Sequence, residues 1–344
     1  MSSEMSIYKK IISQFDKKNI LVVGDIILDR YIQGSVTRIS PEAPVPIVLE
    51  EKSFYTTGGA ANVSQNLSSL GANVTQVGRI GNDFEGKLLK RELKRKNIDV
   101  SGVFLDKNIP TITKTRIIAQ HQQIVRIDRE NIKESKDRSI LIKILNFIEK
   151  RIDNFDAIII SDYGKGLITP EVIDSLCSLA LTYNKIITVD PKVENFGFYK
   201  KVTAITPNKN EAENAIRNIK ITHERGSSLG INIDRLDKDA DIDKAGEKLL
   251  EFLDLECLLI TLGERGMRLF EKGKKTPYSI TTKAQEVFDV TGAGDAVISV
   301  FTLCLASNAT KRQAAELSNI AAGIVVGKMG AVAVSKEELL EAIK

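Results

Sequence analysis

The chain has 344 residues, 42% hydrophobic and 27% charged, a balance suited to a globular protein that buries a sizeable core. Its 49 basic and 45 acidic residues are interspersed and leave a formal charge of +4, which argues against nucleic acid as a partner. No apolar run approaches the roughly 20 residues that span a bilayer, and the first ten residues hold no secretion-type apolar block, so no membrane association and a cytoplasmic location are expected.

In chain order, Asn19–Gly24 reads as a strand buried on both faces, because its apolar run does not alternate. At its carboxyl end, Gly24-Asp25-Ile-Ile-Leu-Asp29 offers carboxylates that either grip sugar hydroxyls or cap a turn. Residues 31–57, β-branched and carrying Pro41, Pro44 and Pro46, break the α/β rhythm. So do residues 108–128, with the alternating run Thr111-Ile-Thr-Lys-Thr-Arg-Ile-Ile118. Both segments read as antiparallel strands outside the main series, forming either a small lid sheet or a pair of surface hairpins. Gly58-Gly-Ala-Ala-Asn62 opens a helix over 60–70. Its glycines allow a ring to lie on the backbone and Asn62 can both donate and accept, although a packed strand-to-helix turn would look the same.

Helical patterns over 139–151, 170–183 and 244–253 alternate with apolar runs at 156–161, 186–190 and 257–261. This order predicts parallel βαβ units, with ligands beyond the carboxyl ends of the strands. Pro207-Asn-Lys-Asn-Glu211 follows, in which Glu211 orients magnesium through water or Asn208 simply caps a helix. Residues 218–243 are polar and turn-rich and read as a surface insertion. Cys177, Cys257 and Cys304 lack metal-ligand spacing and read as reduced, buried thiols. With only His121 and His223, neither a histidine metal site nor a Ser-His-Asp triad is expected.

The strongest signal is Asp289-Val-Thr-Gly-Ala-Gly-Asp295, followed directly by an apolar helical run. Glycines there permit a tight turn, and the helix start presents unpaired N–H groups and a positive dipole end, an anion hole for a phosphoryl group. Asp295, in the first turn beside it, can accept the proton of an attacking hydroxyl, and the dipole is expected to hold its pKa low. No Gly-Lys-Ser/Thr follows, so this is not a Walker A loop.

These stretches together resemble the ribokinase-like (PfkB-type) carbohydrate kinases, from Ile20 to about Ser335. The resemblance implies an α/β fold, a doubly wound sheet flanked by helices with a small β lid, as a single domain over 1–344. It implies ATP as co-substrate with Mg²⁺, Asp295 as catalytic base, and Gly292, Ala293 and Gly294 as the anion hole. Nucleotide contacts fall on Asn208, Lys209, Asn210 and Glu211, on Thr261, Gly263 and Gly266, and on Asn319 and Gly323, with Glu211 ordering the metal through water. Sugar contacts fall on Asp29, Gly58, Gly59 and Asn62.

Thr37-Arg-Ile-Ser-Pro-Glu-Ala-Pro-Val-Pro46, Thr111-Ile-Thr-Lys-Thr-Arg116, Gln122-Gln-Ile-Val-Arg-Ile-Asp128, Ser161-Asp-Tyr-Gly-Lys-Gly166 and Ala321-Ala-Gly-Ile-Val-Val-Gly-Lys328 are similar to the D-glycero-β-D-manno-heptose 7-phosphate kinases. That narrower resemblance implies phosphorylation at C1, on the route to ADP-heptose for lipopolysaccharide. A sugar 7-phosphate needs cations at the far end of the pocket, and Lys114, Arg116, Arg126, Lys165 and Lys192 are the candidates. Many such relatives carry a nucleotidyltransferase with a His-x-Gly-His motif. This sequence has none, so a separate nucleotidyltransferase is expected downstream, and a homodimer is expected. The alternatives are a kinase for another sugar or sugar phosphate, and a non-catalytic sensor on the same fold.

Overall fold

The computed structural model describes residues 2–120, 122–131, 138–222, 229, 231, 235–282, 287–328 and 332–343. The two histidines and part of the 218–243 stretch lie outside the described residues.

The expected strand Asn19–Gly24 is β1. It is followed by β2 (Ile26–Ile39), β3 (Pro46–Gly59), β4 (Asn73–Gly81), β5 (Ile98–Asp106), β6 (Ile112–Ala119) and β7 (Gln122–Arg129). Then come β8 (Ala157–Ser161), β9 (Ile186–Asp190), β10 (Ala204–Ile205), β11 (Cys257–Thr261), β12 (Met267–Glu271) and β13 (Tyr278–Ile280). A nine-stranded sheet runs β13-β12-β11-β10-β9-β8-β1-β4-β5, and a four-stranded sheet runs β3-β2-β6-β7.

In the large sheet every neighbouring pair from β5 to β11 is parallel, and β12 and β13 add an antiparallel edge. Chain order reverses at β1: β4 and β5 lie to one side, β8 to β11 to the other. That switch point opens a crevice at the carboxyl ends of β1 and β8, where Gly24 stands in register with Ser161.

The reading of β1 as buried on both faces holds. Ile20 and Val22 pack into one core layer with the helices Ala60–Ser69 and Ala293–Ala306, while Leu21 and Val23 enter the opposite layer with Ile158 and Ile160. Cys257 and Cys304 are buried and Cys177 partly so, all as free thiols.

The two interrupting segments form the small sheet. Each is an antiparallel hairpin, as expected, but β2 already begins at Ile26 and the hairpins join through a parallel β2–β6 ladder. The 218–243 stretch is not wholly superficial. Leu229, Ile231 and Leu236 are buried in the second core layer, and the helix Asp239–Phe252 takes up its end.

Candidate active site

Asp295 lies in the first turn of the helix Ala293–Ala306 and is 6% exposed. Gly292 before it has φ 82°, a left-handed turn that turns the chain into the helix. Of the expected anion hole, the Ala293 N–H is donated to Val290 O at 3.2 Å. The N–H of Gly294 is therefore the better placed donor at the helix start, and a Cβ at Gly294 would meet nothing within 4 Å, so its backbone stands open to the cleft.

Both Asp295 oxygens already accept hydrogen bonds. Asn62 Nδ2 donates to Oδ2 at 2.6 Å, and the Tyr163 hydroxyl donates to Oδ1 at 2.7 Å. The expectation of a low pKa fails: burial, ahead of these bonds, raises the carboxyl to about 6, with Asp29 pushing it up and Lys114 down. Desolvation of the charged form outweighs the helix dipole at this depth.

Asp29 and Arg116 form an ion pair at 2.5 Å across the paired strands β2 and β6. A Cβ on Gly58 would sit 2.1 Å from Asp29 Oδ2, so the glycine makes room for that carboxylate. Gly59 has φ 57°, and a Cβ there would meet the Asp25 carbonyl oxygen at 2.5 Å. Asp25 takes the capping role of its two readings. Its buried carboxylate accepts the backbone N–H groups of Tyr163, Lys165 and Leu167 at 3.0 to 3.3 Å, and burial raises its pKa to about 6.

A cavity of about 300 Å³ adjoins Asp295 and is lined by Tyr163, Asp190, Lys192, Asn208, Glu211 and Gly294 among others. Asn208 and Glu211 form a reciprocal cap: the Glu211 N–H donates to Asn208 Oδ1 at 2.9 Å and the Asn208 N–H to Glu211 Oε2 at 2.8 Å. Capping and pocket lining thus coincide. Burial raises the Glu211 pKa, opposed by the Asn208 bond and Lys192. Thr261 lines the same cavity and bridges to Asn208.

Other expected nucleotide positions are spoken for or stand apart. Lys209 pairs with Asp237 at 2.8 Å, and Asn210 is exposed on the same helix. Gly263 (φ 62°) is open, whereas Gly266 (φ 85°) abuts Ile280 O, which a Cβ would approach to 1.9 Å. Asn319 donates to Thr281 O at 2.7 Å, with Gly323 one turn on in the helix Lys311–Val326.

The five candidate cations separate clearly. Arg116 is held by Asp29, Arg126 by Asp128 in an exposed two-bond pair, and Lys165 by Glu130 at 2.7 Å. Lys114 lies over the Tyr163 ring, 5.8 Å from its centroid, close enough to feel Asp29, with burial lowering its pKa. Lys192 lines the cavity beside Gly164 and Glu211.

Sequence reasoning passed over Tyr163, Asp162 and Asp190. Asp190, at the end of β9, has its pKa pushed well up by burial and by Asp295, Glu211 and Asp162. Asp162 accepts from Gly164 N–H, Asn195 and Tyr199, fixing the loop after β8. A usable signal was present: acidic residues at the carboxyl ends of recognised parallel strands.

A family model described as pfkB family carbohydrate kinase matches residues 17–338. The chain belongs to that family. The kinase is 42% identical over 329 residues to "Bifunctional protein HldE" of Desulfatibacillum aliphaticivorans, covering 95% of this chain and 63% of that protein. It is 42% identical over 322 residues to the protein of the same name from Helicobacter pylori strain J99, covering 94% and 65%. The chain therefore spans about two thirds or less of those relatives.

Among solved structures, Arabidopsis thaliana ribokinase complexed with ribose and ATP matches with TM-score 0.71 at 18% identity, covering 95% of this chain and 99% of that one. Escherichia coli phosphofructokinase-2 in complex with potassium matches with TM-score 0.74 at 16% identity, covering 95% and 98%. At such identities the likeness establishes the ribokinase-like fold. The kinase is thus a carbohydrate kinase with a large mixed sheet flanked by helices, as expected. Among the described residues no helix is long and apolar enough to cross a membrane.

Proposed function

We propose that this kinase transfers the γ-phosphoryl group of ATP to the C1 hydroxyl of D-glycero-β-D-manno-heptose 7-phosphate, giving the 1,7-bisphosphate and ADP. The observation that carries a phosphoryl-transfer reading is the position of the Asp295 carboxylate. It adjoins an open helix start and a cavity of about 300 Å³, and it is faced by Asn62 and by Asp29, for which Gly58 makes room. The sugar hydroxyl gives its proton to Asp295 as the C1 oxygen bonds to the γ-phosphorus, while the bond to the bridging β,γ-oxygen breaks and ADP departs. The Gly294 N–H and the helix dipole meet the charge on the transferred group.

Mg²⁺ fits the donor set. Among the described residues no cluster of His, Cys, Asp and Glu could hold an ion unaided, yet Glu211 and Asp190 line the cavity, as suits a hydrated ion shared with phosphates. When bound, it would neutralise phosphate charge, with Glu211 orienting it through water.

The heptose phosphate rests on the sequence stretches that resemble heptose 7-phosphate kinases. It is supported by Lys114 on the small sheet, which among the described residues is in no salt bridge, whereas Lys192 lines the cavity beside Glu211 on the nucleotide side. We read the small sheet as the lid, with Lys114 on it reaching the sugar phosphate. Exposed Leu49, Ile124 and Ile127 on that sheet support a second copy of the chain as partner.

ADP release with a panel of sugars and sugar phosphates tests the substrate: turnover indifferent to the distal phosphate would refute a heptose 7-phosphate. Asp295→Asn should abolish turnover while ATP still binds, and full activity in that variant would remove Asp295 from the mechanism.

A further inference from the structure

We propose that Tyr163 is the positioning residue for the catalytic carboxylate: its hydroxyl, together with the Asn62 amide, sets the plane in which Asp295 receives the substrate proton. This rests on the reading of Asp295 as the base.

The two donors come from different parts of the fold, Asn62 from the helix Ala60–Ser69 and Tyr163 from the loop after β8. They take one oxygen each, at 2.6 and 2.7 Å. A carboxylate held on both oxygens loses its rotation about the Cβ–Cγ bond. Each oxygen keeps a further lone pair, so a hydroxyl can still approach.

A phenol suits this task because it stays neutral. Burial and the neighbouring Asp295 push its pKa well above the ordinary tyrosine value, so it donates to the carboxylate and does not compete for the proton.

The loop is built to keep that hydroxyl in place. The Tyr163 N–H donates to Asp25 Oδ2 at 3.1 Å, followed by Lys165 and Leu167 on the same carboxylate. On the other side Asp162 accepts from Gly164 N–H at 2.7 Å and from Asn195 and Tyr199. Two buried carboxylates thus fix the backbone on both sides of one side chain, although burial disfavours the charge on each. Tyr163 also faces the small sheet through Lys114, whose ammonium lies 5.8 Å from the ring centroid.

The charged groups that face Asp295 are Asp29 from β2, Lys114 from β6 and Asp190 from β9. All three remain in Tyr163→Phe, which keeps the ring and removes only the hydroxyl. The comparison of that variant with the parent kinase therefore isolates the hydrogen bond.

The experiment measures single-turnover and steady-state phosphorylation from roughly pH 5 to 9, using the sugar phosphate that the parent kinase turns over fastest. Tyr163→Phe should lower kcat about 10- to 100-fold on the alkaline plateau with ATP affinity unchanged, because the base is no longer aligned. Its acid limb should also move up by roughly one pH unit, because a bond to the ionised carboxylate is lost. An unmoved acid limb with a parental plateau would overturn the proposal, as would lowered thermal stability with an unmoved limb, which is what a packing role gives. Asp295→Asn, assayed in parallel, separates the two readings. Turnover in Asp295→Asn sinks the base assignment itself, whereas an inactive Asp295→Asn beside a parental Tyr163→Phe sinks only the role of Tyr163.

Discussion

On the proposed reading Asp295 must be deprotonated before it takes a proton, and burial raises its pKa to about 6. Turnover should therefore be full above that value and fall tenfold per unit as pH drops below it; a kcat profile flat to pH 5 would contradict this. Gly58 gives a second test at the same scale. Its missing Cβ leaves space for Asp29 Oδ2, so Gly58→Ala must displace the carboxylate paired with Arg116. We expect a penalty of about 1 to 3 kcal/mol on sugar binding, seen as a raised KM for the sugar and an unchanged KM for ATP. Asp295, Asn62 and Gly58 were legible in the sequence because the order of glycine, asparagine and aspartate around two helix starts is local. Asp190 was marked only as an acidic strand end, and Tyr163 was not legible at all, since its role depends on β8 lying between β1 and β9, with Gly24 beside Ser161 and Ser161 beside Asp190. The engagement of Lys165 by Glu130 and of Arg116 by Asp29 was equally hidden, because both pairs join residues far apart in the chain.

Among the elements, the loop after β8 depends on Asp25. Asparagine at that position would turn an amide donor toward backbone N–H groups that need acceptors. Asp25→Asn should cost about 1 to 3 kcal/mol in urea unfolding and lower kcat as well, because Tyr163 loses its anchor. Unchanged stability would show that the three N–H groups find acceptors elsewhere. The strands Asn19–Gly24, Ile186–Asp190 and Cys257–Thr261 were read to the residue because parallel strands buried on both faces leave uninterrupted apolar runs. The small sheet was read less well. Ile26-Ile-Leu28 is apolar and buried, so composition does not separate it from the core strands, and no local pattern announces a parallel ladder between β2 and β6. The buried Leu229, Ile231 and Leu236 were similarly masked by the polar residues around them.

For the whole molecule, a carboxyl whose pKa is raised on folding stabilises the native state most at low pH. That contribution fades as pH rises through the interval from 3.8 to about 6 and is gone above it. The kinase therefore carries ionised Asp295 at neutral pH at a cost to its stability. Asparagine stands in for the protonated acid, so Asp295→Asn should be more stable than the parent at pH 7.5 by on the order of 2 to 3 kcal/mol. The difference should shrink as pH falls through 6 and vanish near 4. Thermal melts of both proteins across that range check this, and a pH-independent difference would contradict it. Loss of turnover and gain of stability from one substitution would place this residue among those retained for chemistry at the expense of the fold.

β1 ends at Gly24 and β2 begins at Ile26, so a single residue, Asp25, carries the chain from the large sheet into the small one. No slack linker separates the two. The same residue grips the loop bearing Tyr163 through its side chain and receives the Ala60 N–H on its carbonyl oxygen at 3.0 Å. In a lid movement of the small sheet, Asp25 would be the fulcrum. A tilt of the small sheet over a sugar would be levered directly onto the two pieces of backbone that carry Asn62 and Tyr163. Closing over the substrate and aiming the base would then be one movement.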